Sequence, residues 1–276
     1  MAERPSDYEQ KMARFLELEE TSKEGRKETF ERYARCLGFT KSQLYNKEIL
    51  DVGASSAGFA DYTREAGIPC RVDSIDSAEL MSISGVEQGN NRKFPKTAFE
   101  DLDLKEFGLD EEPQYDLIFS SSSTPYTLVN EAYDAEGNFK EKDKAAWLEK
   151  IRTSIQKVIA STASHLKPGK KEEPSVAVFF PVYGMKELEK WDEKKQGKFK
   201  AVIPFAQGGP RDFTEWTQIL KEETDRFKKD PENFMAEMGY EQKKYGEFDV
   251  QFVDVEVRGD YPPAQRMLII RLPDRG

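Results

Sequence analysis

The stretch Glu48-Ile-Leu-Asp-Val-Gly-Ala-Ser-Ser-Ala-Gly-Phe59 holds the residues of this chain best suited to chemistry. Gly53 and Gly58 permit backbone conformations with φ > 0, and Ala54, Ser55, Ser56 and Ala57 between them are all small. A ligand can therefore lie directly against the backbone, with the acid Asp51 just ahead of the first glycine. The spacing narrows which ligand. A P-loop places Lys and Ser or Thr after its second glycine, to hold phosphate and Mg²⁺. Here Phe59-Ala60 stands in that place. A dinucleotide fingerprint needs glycine where this chain has Ser55. A second acid, Asp76, ends the stretch Cys70-Arg-Val-Asp-Ser-Ile-Asp76, which reads as a second strand. A carboxylate at such a strand tip can accept from both hydroxyls of a ribose, a role that an acid about 20 residues past the glycines fills in dinucleotide folds. Asp76 followed by Ser77-Ala78-Glu79 also reads as a helix N-cap, and one residue can do both. Asp73, in mid-strand, is the weaker choice for the ribose.

Positioning these groups takes a strand, a tight loop and a helix. Ile49 to Val52 is the strand, and Phe59 to Gly67 is a helix stopped by glycine. That unit opens an α/β sheet. Ahead of it, apolar stripes from Pro5 to Cys36 predict two helices, and Thr40 to Leu44 a short turn or helix. After it, Lys96 to Phe99 reads as a short third strand, followed by Glu100-Asp101-Leu102. Tyr115 to Phe119 reads as a fourth strand, running into Ser120-Ser121-Ser122-Ser123-Thr124-Pro125-Tyr126. Leu128 to Lys142 is acidic, with acids misplaced for an EF-hand, and reads as a lid or hairpin. Asp143 to Leu166 is an amphipathic helix burying Ala146, Trp147, Ile151, Ile155, Val158, Ile159 and Ala163.

Ser175 to Pro181 is apolar throughout, as a central parallel strand should be. Asp212 to Phe227 reads as a crossover helix begun by an Asp cap with Glu215 three residues on. Pro231 to Met238 is another helix, and Phe248–Val257 and Gln265–Leu272 are the last two strands. The insert at 183–211 is the natural place for substrate selection, with Phe205, Gln207 and Arg211 its most suggestive residues.

Composition bounds the function. The chain has 276 residues, 37% hydrophobic and 34% charged, with a formal net charge of −10. That charge argues against a general nucleic-acid binder, since phosphate neutralisation needs a basic face. No apolar run approaches the roughly 20 residues of a membrane span, and the opening Met-Ala-Glu-Arg-Pro does not read as a signal peptide. Two cysteines, Cys36 and Cys70, fit a reducing cytoplasm. His165 is the only histidine, which excludes His-rich metal sites and leaves no metal expected. It stands at a helix C-terminus, a structural position.

The succession of loop, acid-tipped second strand, "YDLI" strand, "LKPG" turn at Leu166–Gly169 and reversed last strand resembles the class I S-adenosylmethionine-dependent methyltransferases. The likeness spans about Glu48 to Leu272. It implies an α/β Rossmann-like fold: a seven-stranded, mostly parallel sheet with a reversed last strand, order 3-2-1-4-5-7-6, and helices on both faces. Residues 1–47 would be a helical cap, and 48–276 the methyltransferase domain with its insert at about 183–211.

In that family the first loop backs onto the methionine part of the cofactor, so Asp51, Gly53, Ala54, Ser55, Gly58 and Phe59 would bind S-adenosylmethionine. Asp76 and Ser77 would meet the ribose. Asp101, with Glu100 as second choice and Leu102 beside it, would meet the adenine, and Ser120 and Ser121 would line the loop facing the methyl group. Tyr126, Phe205 and Arg211 would touch the substrate.

The usual D-x-G-x-G-x-G is broken here by Ser55 and Ala57, and the Gly-Ala-x-x-x-Gly-Phe form is closer to FtsJ-type RNA enzymes. Their Lys-Asp-Lys-Glu set is missing, because Ser120-Ser121 and Pro181-Val182 occupy its places. The Asn or Asp of the N-P-P-Y aminomethylating enzymes is also replaced by serines. The resemblance thus implies a methyltransferase acting on a small molecule or a protein side chain. An RNA methyltransferase and a non-catalytic scaffold of the same fold are the alternatives. The oligomeric state is not legible.

Overall fold

The computed structural model describes residues 40–54, 58–76, 92–94, 97–99, 115–120, 143–169, 175–183, 213–240, 248–256 and 264–272. They fall into two compact units, parted between Ala98 and Phe99. The expected helices of 5–36, the excursion 128–142 and most of the insert 183–211 lie outside the described residues.

In the first unit a 3₁₀ turn, Lys41–Leu44, capped by Thr40 and Gln43, leads into β1, Glu48–Val52. Helix α1, Gly58–Glu65, packs on β2, Arg71–Ile75. The third strand, β3, is the pair Lys93–Phe94. All three strands run parallel in the order β3-β2-β1. Ile49, Leu50, Val72, Ile75 and Phe94 are buried almost completely, so both faces of this sheet are covered.

The third strand lies earlier than Lys96–Phe99. It ends at Phe94 because the next residue, Pro95, has no N–H to give a ladder. Phe99 is nevertheless buried, so its apolar character reflected packing and not strand membership.

Helix α1 stops where Gly67 turns left-handed, with φ of 64°. There Gly67 N–H reaches the Arg64 carbonyl at 3.1 Å and Ile68 N–H the Thr63 carbonyl at 2.9 Å. A Cβ on Gly67 would meet nothing within 4 Å, so any substitution cost is conformational. Gly67→Ala is therefore expected to lower stability by about 1 kcal/mol, read as a lower urea midpoint with an unchanged slope.

The second unit holds β4 (Leu117–Ser120), α2 (Lys144–His165), β5 (Ser175–Tyr183), α3 (Phe213–Lys229), α4 (Pro231–Glu237), β6 (Asp249–Glu256) and β7 (Ala264–Leu272). Its strand order is β4-β5-β7-β6, with β4 and β5 parallel and β7 antiparallel to both of its neighbours. The reversed last strand is thus present, and each unit's order agrees with its share of the expected one. The pairing of β5 with β7 shifts register between Phe179 and Val182. Pro181 lies in that interval, where its missing N–H cannot serve a regular ladder.

Helix α2 matches its sequence limits, with Asp143 accepting from the N–H groups of Ala145 and Ala146. Trp147, Ile151, Ile155, Val158, Ile159 and Ala163 are buried, but Ala146 is exposed because it belongs to the capped first turn. Phe227 of α3 gathers the far end of this core. Its ring lies 5.3 Å from that of Phe234, edge on, and 4.8 Å from that of Phe248. No helix among the described residues is long and apolar enough to cross a membrane.

Candidate functional site

The candidate site grows from the ends of two neighbouring strands. β1 and β2 pair with Asp51 opposite Ser74 and Val52 opposite Ile75. Gly53 then turns back with φ of 69°, a conformation that favours glycine. In that turn Gly53 N–H and Ala54 N–H both donate to the Ile75 carbonyl, at 2.8 and 3.1 Å. The loop is therefore drawn sideways over the tip of β2, and Asp76 is the next residue of that tip. Parallel strand spacing of about 4.8 Å and a rise of about 3.3 Å per residue put the Asp51 and Asp76 Cα atoms roughly 8 Å apart. Asp51 and Ala54 are buried, Gly53 and Asp76 half-buried. Phe59, in the first turn of α1, is buried.

The backbone of Asp76 is gripped on both sides. Its N–H donates to the Phe94 carbonyl at 3.3 Å, and its carbonyl accepts from Thr97 N–H at 3.0 Å. Asp73 has a different environment from Asp76. It is fully buried, and its carboxylate takes Arg92 Nε at 3.1 Å and a second guanidinium nitrogen at 2.8 Å. That pairing accounts for Asp73 as an internal ion-pair partner.

Two residues of this region escaped sequence reasoning. Arg92 is one; nothing in its neighbourhood pointed to a partner nineteen positions back. Ser74 is the other. It lies across from Asp51 in register and is wholly buried, and its hydroxyl has no hydrogen-bond partner among the described residues. Its place inside the expected second strand, between Asp73 and Ile75, was the available signal.

The remaining candidates divide. Ser120 ends β4 in the second unit, buried and opposite Phe179. Ser55, Ser77, Asp101, Leu102, Ser121, Tyr126, Phe205 and Arg211 lie outside the described residues. His165 is buried in the second unit, with Nδ1 2.7 Å from the Ser161 carbonyl and 2.9 Å from Ser164 Oγ. A carbonyl only accepts, so Nδ1 carries the proton. Its backbone carbonyl takes Tyr115 N–H at 2.8 Å, stitching the helix end to the start of β4.

A thiol completes the first unit. Burial pushes the Cys70 thiol above its ordinary 9.0, opposed in part by a hydrogen bond with Thr63. It is correspondingly a poor nucleophile at neutral pH.

No known family profile matches the chain, and no curated protein matches it. Solved structures do. The plantazolicin methyltransferase BpumL, in complex with a pentazolic desmethylPZN analog and SAH, is 11% identical. The match covers 97% of this chain and 92% of that one, with a TM-score of 0.53. The plantazolicin methyltransferase BamL, in complex with a triazolic desmethylPZN analog and SAH, is also 11% identical over 97% and 91%, with a TM-score of 0.53. At such identity the likeness is one of fold.

Proposed function

We propose that this chain, which has the fold of the class I methyltransferases, binds S-adenosylmethionine at the tips of β1 and β2 and methylates a small molecule or a protein side chain. One observation carries the reading: Gly53 and Ala54 are drawn onto the Ile75 carbonyl, where the strand ends that carry Asp51 and Asp76 lie side by side. The turn suits the cofactor, since the left-handed Gly53 has no Cβ to stand between ligand and backbone. A carboxylate suits an ammonium, so Asp51 would hold the methionine amino group. Asp76 would accept from the ribose hydroxyls.

Ala54, Ser55, Gly58, Phe59 and Ser77 would complete that half of the site. Asp101 and Leu102 would meet the adenine, and Ser120 and Ser121 would line the reacting end. In this reading the sheet would keep the expected order 3-2-1-4-5-7-6, and residues 1–47 would form a helical cap. Tyr126, Phe205 and Arg211 would select the acceptor.

When bound, the cofactor supplies an electrophilic methyl group on a sulfonium. The chain's own contribution is alignment, which can supply roughly 7–11 kcal/mol. A base is required only where the acceptor arrives protonated. BpumL and BamL, each crystallised with a desmethylPZN analog and SAH, favour an acceptor other than nucleic acid. The net charge of −10 points the same way. The two cysteines accord with a cytoplasmic setting.

Calorimetric titration tests the proposal. SAH and S-adenosylmethionine are expected to saturate one site per chain and to compete, while ATP and NAD leave that site unoccupied. Failure of both adenosyl ligands to bind at millimolar concentration would end the reading.

A further inference from the structure

We propose that Arg92 is a positioning residue for the ribose of the cofactor, acting through Asp76; the inference rests on the cofactor reading above. Arg92 is tied into β2 by both its side chain and its backbone. Its guanidinium forks onto Asp73 Oδ2 at 3.1 and 2.8 Å, and its own N–H donates to Asp73 Oδ1 at 3.1 Å. Its carbonyl accepts from Ser74 N–H at 2.9 Å. From that anchor the chain passes directly into Lys93–Phe94, whose Phe94 carbonyl takes the Asp76 N–H. Thr97, a little further on, donates to the Asp76 carbonyl. Both peptide groups of Asp76 are therefore held by the segment that Arg92 fastens.

The fastening matters because β3 has two residues and cannot fix its own register. A slip of one residue would turn its side chains to the opposite face and move the groups that hold Asp76. A buried ion pair adds little net stability over apolar packing, but a bidentate fork selects one alignment. Arg71 Nε stands 3.7 Å from Asp73 Oδ1, so the carboxylate keeps a cation when Arg92 is altered.

The test uses Arg92→Lys, which retains charge but loses the fork, with SAH and its 2′-deoxy analogue as probes. Wild type is expected to prefer SAH about tenfold, the worth of one hydroxyl bonded to a carboxylate. Arg92→Lys should cut that preference to about threefold, and in an Asp76→Ala background it should change neither affinity by more than about 1.5-fold. An undiminished preference in Arg92→Lys overturns the proposal. So does an equal loss of SAH affinity in both backgrounds, which would mark a purely structural role.

Should Arg92→Lys not fold, the neutral pair Asp73→Asn with Arg92→Gln takes the same measurement with the same expectations. Wild type failing to bind SAH would sink the cofactor reading and this inference together. Binding without the predicted coupling to Asp76 would sink this inference alone.

Discussion

Asp76→Ala is expected to bind SAH about a hundredfold more weakly than wild type, with a melting temperature within about 2 °C of it. A carboxylate accepting from two ribose hydroxyls contributes roughly 1.5–3 kcal/mol per bond, and about 3 kcal/mol in total corresponds to that loss. The fold should tolerate the change because the hydrogen bonds to Phe94 and Thr97 are made by the Asp76 backbone, which alanine retains. Asp76→Asn should fall between, at about tenfold, because an amide oxygen still accepts but carries no charge. Unaltered SAH binding by Asp76→Ala would remove Asp76 from the site.

Arg152→Ala is expected to lower stability by about 2 kcal/mol, and the melting temperature by about 4–8 °C, without changing cofactor affinity. Arg152 of α2 joins Glu223, a buried carboxylate on α3, and meets Glu222 at 2.9 Å. Gln156 at 2.8 Å and Arg226 at 3.3 Å also hold Glu223, so the loss sits below that of an unaided buried pair.

The pH dependence has a definite sign. Hydrogen bonds from Arg152 first and Gln218 second hold Glu222 below its ordinary 4.5. A depressed carboxylate contributes stability that is present above 4.5 and disappears as pH falls through its lower folded value. The difference between wild type and Arg152→Ala should therefore be full at neutral pH and narrow only in acid below 4.5. Urea melts at pH 7 and in that acid range measure it; a difference that widened in acid would contradict the pairing.

Much of this architecture was legible because apolar runs and punctuation coincided. Ile49–Val52 followed by Gly53, and Ser175–Phe180 without a charge, define β1 and β5 by composition. The amphipathic run from Asp143 to Leu166 and the stretch opening at Pro231 mark α2 and α4. Asp76 was visible as the acid at the end of the second strand. The third strand was misplaced because Thr97-Ala98-Phe99 has the apolar look of a strand, whereas pairing with β2 selected Lys93–Phe94 before the proline. The tie of Arg92 to Asp73 and the clasp of Arg152 on Glu223 were hidden for one reason. Each joins charged residues distant in sequence, and a charge in a linear pattern reads as surface until its partner is known. The adenine residues rest on the resemblance and the acceptor residues on their place in the sequence, since the positions of both fall outside the described segments.

The placement of β7 between β5 and β6 has a bearing on how the protein is made. Among the described residues β6 has only β7 as a ladder partner, yet β6 leaves the ribosome first. Until 264–272 emerges, the nascent chain carries a finished β6 with its edges open and a β5 bonded on one side. Closure of this half therefore waits for residues 264–272, and a ribosome stalled before they emerge would display two sticky strands for a chaperone to shield.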